Sequence, residues 1–170
     1  MFDTVFGLPL HALVIHAVVV LLPVAAIGGV LVAVLPRFRT RFGILVAAAA
    51  VVTVPTVIVA AQSDEQLERR VDATLGPGAA SAREAQLMEA HTGIADNLLP
   101  WTIVLALALV VLMAIVHYRR RTGSPSWLRP AGYVTSAVTI VGAVLSLYWV
   151  IRIGDAGSRA AWTDVVDAGG

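Results

Sequence analysis

Four histidines are the first candidates for chemistry in this chain: His11, His16, His91 and His117. An imidazole can ligate a metal ion or a haem iron, pass a proton, or hold a partner side chain by a hydrogen bond. Six further polar residues, Gln62, Asp96, Asn97, Arg152, Asp155 and Arg159, stand at the edges of otherwise apolar runs. His11 and His16 are five residues apart, about 140° of rotation on a regular helix, so they do not share a face and cannot readily chelate one ion. The chain has no Cys, which excludes disulfides, thiolate metal sites, iron–sulfur clusters and covalent c-type haem. It contains no P-loop, G-x-S-x-G, H-E-x-x-H or Gly-rich dinucleotide fingerprint, so no enzyme class is indicated.

What these residues can do depends on the elements that carry them. Only 14% of the 170 residues are charged, against roughly 25% in a soluble domain. A run of 33 residues without charge separates Asp3 from Arg37. Runs of 22 separate Arg41 from Asp64, Asp96 from Arg119, and Arg129 from Arg152. Each exceeds the ~20 apolar residues that cross a bilayer as a helix. A soluble fold is excluded. The expected fold is an all-α integral membrane protein, an up-down four-helix transmembrane bundle with spans at about 8–35, 42–62, 94–118 and 130–152. The first run follows Asp3 with no positive charge before it and is too long for a signal-peptide core, so it is expected to be a retained span.

The charges between the runs are segregated. Arg37, Arg39 and Arg41 lie in the first connection, Arg119, Arg120, Arg121 and Arg129 in the third, and neither connection contains an acid. All eleven acids fall in the remaining segments beside only five Arg. The positive-inside rule puts the Arg-rich connections in the cytoplasm and both termini outside. Counting ~20 residues outward from those arginines brings the outer hydrocarbon boundary near His16, Gln62, Asn97 and Trp149. His11 then stands about 7.5 Å above that level and His91 about 9 Å above it. His117 lies at the opposite face.

Local patterns fill in the rest. Pro23 and Pro55 fall mid-span, where a kink frees carbonyls that Thr53 and Thr56 could bond near Pro55. Ala25, Gly29 and Ala33 form a small-xxx-small row suited to close helix approach, and Thr135, Thr139, Gly142, Ala143 and Ser146 serve the same purpose in span 4. Between spans 2 and 3, Leu67, Val71 and Leu75 repeat every four residues, Gly76-Pro77-Gly78 breaks the helix, and Ser81-x-x-Glu84 forms a capping box. The segment 63–93 is therefore expected to be an outer helical hairpin projecting ~20 Å from the bilayer. Gly154 and Gly157 suggest that the tail 153–170 folds back over the outer ends, with Trp162 as an interfacial anchor.

The opening Gly7-Leu8-Pro9-Leu10-His11-Ala12-Leu13-Val14-Ile15-His16 resembles the G-L-P-L-H-P-x-x-V-H start of bacterial domain-of-unknown-function 2231 proteins. Gln62-Ser63, the stretch from His91 to Pro100-Trp101, and Gly154-x-x-Gly157 ending in Trp162 resemble the actinobacterial branch. The resemblance covers most of the chain and implies a four-helix domain of the bacterial plasma membrane, fused in some relatives to Rieske or other redox modules. Ala12 replaces the usual Pro, and Asp155 stands where many relatives have His, so a tail histidine is not available here.

Two uses of the outer rim remain open. His11 with His91, or else His16, could ligate a b-type haem or a metal if spans 1 and 3 are neighbours. Equally, His16 could bond Asn97 and serve packing alone. Asp96, Arg152, Asp155 and Arg159, with Gln62 and Asn97, form either an ion-pair cluster or a pocket for a small ligand or quinone headgroup. The leading expectation is a non-enzymatic membrane subunit or accessory protein of an envelope complex. Its lipid-embedded bundle would present the hairpin 63–93 to a membrane protein partner. No nucleic-acid partner is expected, and the apolar span interiors do not suggest an ion pathway.

Overall fold

A computed structural model describes the backbone of residues 4–5, 8–75, 82–122 and 125–167, and the side chains of residues 14–62, 97–122 and 125–155. A two-residue antiparallel ladder, β1 (Thr4–Val5) with β2 (Leu8–Pro9), precedes four helices. These are α1 (Leu10–Val34), α2 (Pro36–Leu75), α3 (Ala82–Thr122) and α4 (Leu128–Asp167). All four are long and apolar enough to cross a membrane, over Val14–Val34, Pro36–Gln62, Asn97–Thr122 and Leu128–Asp155. The bundle is the expected all-α membrane fold.

The helices form a ring in chain order. α1 packs on α2 and α4, and α3 packs on the same two, while α1 and α3 touch only narrowly across the diagonal. Side-chain size decides how closely they approach. A Cβ added at Gly28 would lie 3.0 Å from both methyls of Val46 on α2. At Gly29, on the adjoining face of α1, it would lie 3.2 Å from Leu105 of α3 and 3.6 Å from Thr139 of α4. Gly142 brings α4 against the α3 backbone itself: a Cβ added there would lie 3.2 Å from both Cα and N of Leu105. Ala25 and Ala33 of the small-residue row are buried beside these contacts. Packing of this kind holds membrane helices together, because lipid tails compete equally well for any larger apolar side chain.

The outside of the bundle exposes large apolar side chains along the spans. Val20, Ile44, Leu45 and Val134 are each more than 60% exposed, a pattern that water would penalise and that lipid accommodates. Inside, the buried polar side chains among the described residues are Thr53, Thr102, Thr139 and Ser146. Three of them donate to a carbonyl one turn back on their own helix: Thr53 to Ala49, Thr102 to Leu98 and Thr139 to Thr135, at 2.8–2.9 Å. The carbonyl freed by Pro55 is that of Val51, yet Thr53 bonds Ala49 and Thr56 bonds Val52 at 2.9 Å. The two hydroxyls thus flank the freed carbonyl and do not fill it, since each reaches only the carbonyl four residues before it.

Two boundaries sharpen the reading of the chain. α2 ends at Leu75 and α3 starts at Ala82, on either side of the Gly-Pro-Gly segment and directly after the Ser81 cap position. At the other limit the fold-back of the tail is not what forms. α4 continues as one helix through Gly154 and Gly157 to Asp167. A glycine inside a helix costs about 1 kcal/mol relative to alanine, which is a bias and not a break. At 1.5 Å per residue α2, α3 and α4 are each about 60 Å long, twice the hydrocarbon thickness.

Candidate functional site

Polar residues from all four helices stand at the end of the bundle away from the Arg-rich connections. Beneath them lies an apolar cluster of Val18 and Leu22 from α1, Val57 from α2 and Leu98 from α3, packed with Trp149, Val150 and Ile153 from α4. Within about one and a half turns of cluster residues on their own helices stand His16, Gln62, Asn97 and Arg152, all exposed. Asp155 follows three residues after Arg152 on α4 and is exposed as well.

At this end Arg152 is turned along its own helix. Its guanidinium carbon lies 5.9 Å from the ring centre of Tyr148, and Nη1 approaches the phenol oxygen at 3.5 Å. Tyr148 in turn meets Trp149 edge to face at 5.2 Å. This is an interfacial stack, with the charge held outward over an aromatic platform. The side chains of His11, His91, Asp96 and Arg159 lie outside the described residues. Their helices are nonetheless placed: His11 belongs to α1 and His91 to α3. A haem or metal between these two supposes adjacent spans, whereas α1 and α3 stand on the diagonal of the ring. Among the described residues no three His, Asp or Glu side chains converge as metal ligands would. His117 is exposed on α3 at the Arg-rich end, apart from the rim.

The opposite end contains the residue that sequence reading passes over. Arg39 is half-buried in the first turn of α2, and its Nε donates to the carbonyl of Val32 at 2.7 Å while an Nη donates to that of Ala33. Pro36 explains the need. It has no N–H, so Val32, four residues earlier, has no helical donor for its carbonyl. The connection between α1 and α2 is a single residue, Leu35, whose N–H still bonds Leu31 at 2.8 Å and whose carbonyl accepts from Arg39 at 2.9 Å. A guanidinium fork at the negative end of α1 satisfies two orphan carbonyls and the helix dipole together. Arg119 of α3 comes near enough to repel Arg39, so the Arg-bearing ends of α2 and α3 share one corner. The available signal was Pro36 three residues before an Arg at a helix junction.

A ring of four membrane-spanning helices with small-residue seams, an aromatic and polar rim at one end and unopposed arginines at the other defines a multi-pass helical membrane protein. The chain belongs to a family within that class: the family described as "Predicted membrane protein (DUF2231)" matches it over residues 7–169. The resemblance carried by the G-L-P-L-H opening is thereby established over nearly the whole length. No curated protein and no solved structure matches the chain significantly.

Proposed function

We propose that the protein is a non-enzymatic subunit or accessory protein of a bacterial envelope complex. Its Arg-rich turns would face the cytoplasm, and its long helical ends would dock a membrane protein partner on the outer side. The observation that carries this reading is the distribution of length. α2 runs thirteen residues past Gln62, α3 begins fifteen before Asn97, and α4 runs twelve past Asp155, all at the end away from the arginines. Helix beyond the bilayer serves no anchoring purpose, and about 20 Å of it on three helices offers a surface. The described interior supports the same reading, because it is filled by Ala, Val, Leu, Gly and hydroxyl residues without a fully buried ionisable side chain.

The test is co-purification from native membranes in a mild detergent, comparing the full chain with a deletion of Asp64–Glu89. A stoichiometric partner retained by the first and lost by the second is expected. A protein that runs alone from native membranes removes the proposal. A reduced-minus-oxidised optical spectrum separates it from the electron-carrier alternative. A Soret band abolished by replacing His11, His16 and His91 would favour that alternative instead.

A further inference from the structure

Between α3 and α4, at the Arg-rich end, an open groove of about 820 Å³ runs along the outside of the bundle. Its walls are Val111, Ile115 and Tyr118 from α3 and Trp127, Ala131 and Val134 from the turn and α4. It extends along residues 111–118 of α3 and 128–135 of α4, a length of ~10 Å on each side. Trp127 is 63% and nearby Tyr133 is 78% exposed, as aromatic rings are at the headgroup level of a bilayer. The groove thus opens toward lipid with its aromatic mouth where lipid phosphates lie.

Charge at that mouth is unbalanced. The two connections at this end hold seven Arg and no acid, and Asp155, the one acid among the described side chains, is at the other end of α4. Arg39 is committed to the α1 carbonyls. On α3 the groove face runs through Val111, Ala114, Ile115 and Tyr118, and the positions three and four residues further on are Arg121, at the Ala114 edge of that face, and Thr122, both exposed. We infer that this groove is a binding site for an anionic phospholipid, with an acyl chain along the apolar walls and the phosphate at Arg121 beside the Trp127 indole N–H. A zwitterionic lipid offers the same acyl chain but less net charge to Arg121. A free phosphate meets the arginine and leaves the apolar walls uncovered. Basic pockets between spanning helices select anionic headgroups on this physical ground.

The test uses the full chain with Trp101, Trp149 and Trp162 replaced by Phe, reconstituted in vesicles so that Trp127 alone fluoresces. Quenching by acyl-brominated phosphatidylglycerol is measured against acyl-brominated phosphatidylcholine. The anionic lipid is expected to bind about five-fold more strongly, the factor that corresponds to ~1 kcal/mol for one Arg near the surface. Arg121→Gln is expected to bring the ratio close to one. Arg41→Gln removes the same charge from the α1–α2 corner and should leave the ratio unchanged. Ala131→Phe fills the groove and should lower the ratio with every arginine in place. Equal quenching by the two lipids in this Trp127-only background overturns the inference before any arginine or groove variant is made. Equal losses from Arg121→Gln and Arg41→Gln overturn it in favour of general surface charge. Displacement of the brominated lipid by inorganic phosphate at constant ionic strength overturns it in favour of a free-anion site.

Discussion

Removing the Arg39 side chain should cost the bundle more than removing any other arginine at its end. In Arg39→Ala the carbonyls of Val32 and Ala33 lose both donors, and no backbone N–H replaces the one missing from Pro36. A hydrogen bond from a charged donor contributes about 1.5–3 kcal/mol, and a carbonyl left unpaired in a half-buried place costs about 1–3 kcal/mol. Two relaxations work the other way. The side chain regains up to about 2 kcal/mol of rotamer entropy, and the repulsion from Arg119 disappears. The net loss is expected near 2 kcal/mol, about thirty-fold in the folding equilibrium. Arg39→Lys keeps the charge at the end of α1 but cannot fork onto two carbonyls, so about half the loss should remain. Arg37 and Arg41 are exposed, and their alanine variants should stay within about 0.5 kcal/mol of the parent. Reversible unfolding in mixed micelles, followed by far-ultraviolet circular dichroism, reads all four. The reasoning fails if Arg39→Ala is no worse than Arg41→Ala. Full stability in Arg39→Lys would show that charge alone suffices and that the fork is incidental.

Other outcomes follow from the same contacts. Gly142→Ala presses a methyl on the α3 backbone and should lose about 1–3 kcal/mol despite the better helix propensity, whereas Gly43→Ala should be near neutral. At Gly43 the contact is shorter, 2.5 Å, but it is made with the flexible Sδ of Met113; the opposite order of stabilities in the same unfolding assay would contradict this. The Ser146 hydroxyl is fully buried and has no hydrogen-bond partner. Ser146→Ala should therefore leave stability unchanged or raise it by about 1 kcal/mol, and a loss of that size would reveal a partner. Because the chain has no native thiol, single cysteines report orientation without background. An impermeant maleimide added to intact cells should label Ser63→Cys and spare Ser126→Cys, and the reverse labelling would invert the proposed topology.

Several of the local expectations depended on one segment at a time, and those were legible. The bounds of α2 at Leu75 and of α3 at Ala82 fall beside Gly76-Pro77-Gly78 and Ser81, sequence signals that are read within a few residues. Gly154 misled because a glycine penalty near 1 kcal/mol is small against the extension of an already nucleated helix. Thr53 and Thr56 were correctly marked as back-bonding residues, but which carbonyl each would choose is set by the reach of its own rotamer.

The candidate site divides along the same line. That His16, Gln62, Asn97 and Trp149 share a level could be counted from the arginines, since helical rise is constant and each span starts from a charged boundary. Which helices face each other could not be counted. The sequence alone determined the class of protein, the number of spans and the separation of arginines from acids, because partition between lipid and water is decided residue by residue. The tertiary structure alone decided that α1 stands diagonal to α3, that Arg39 closes the end of α1 while Arg37 and Arg41 remain exposed, and that a groove opens beside Trp127. Each of these depends on which helix faces meet, and linear spacing does not contain that pairing.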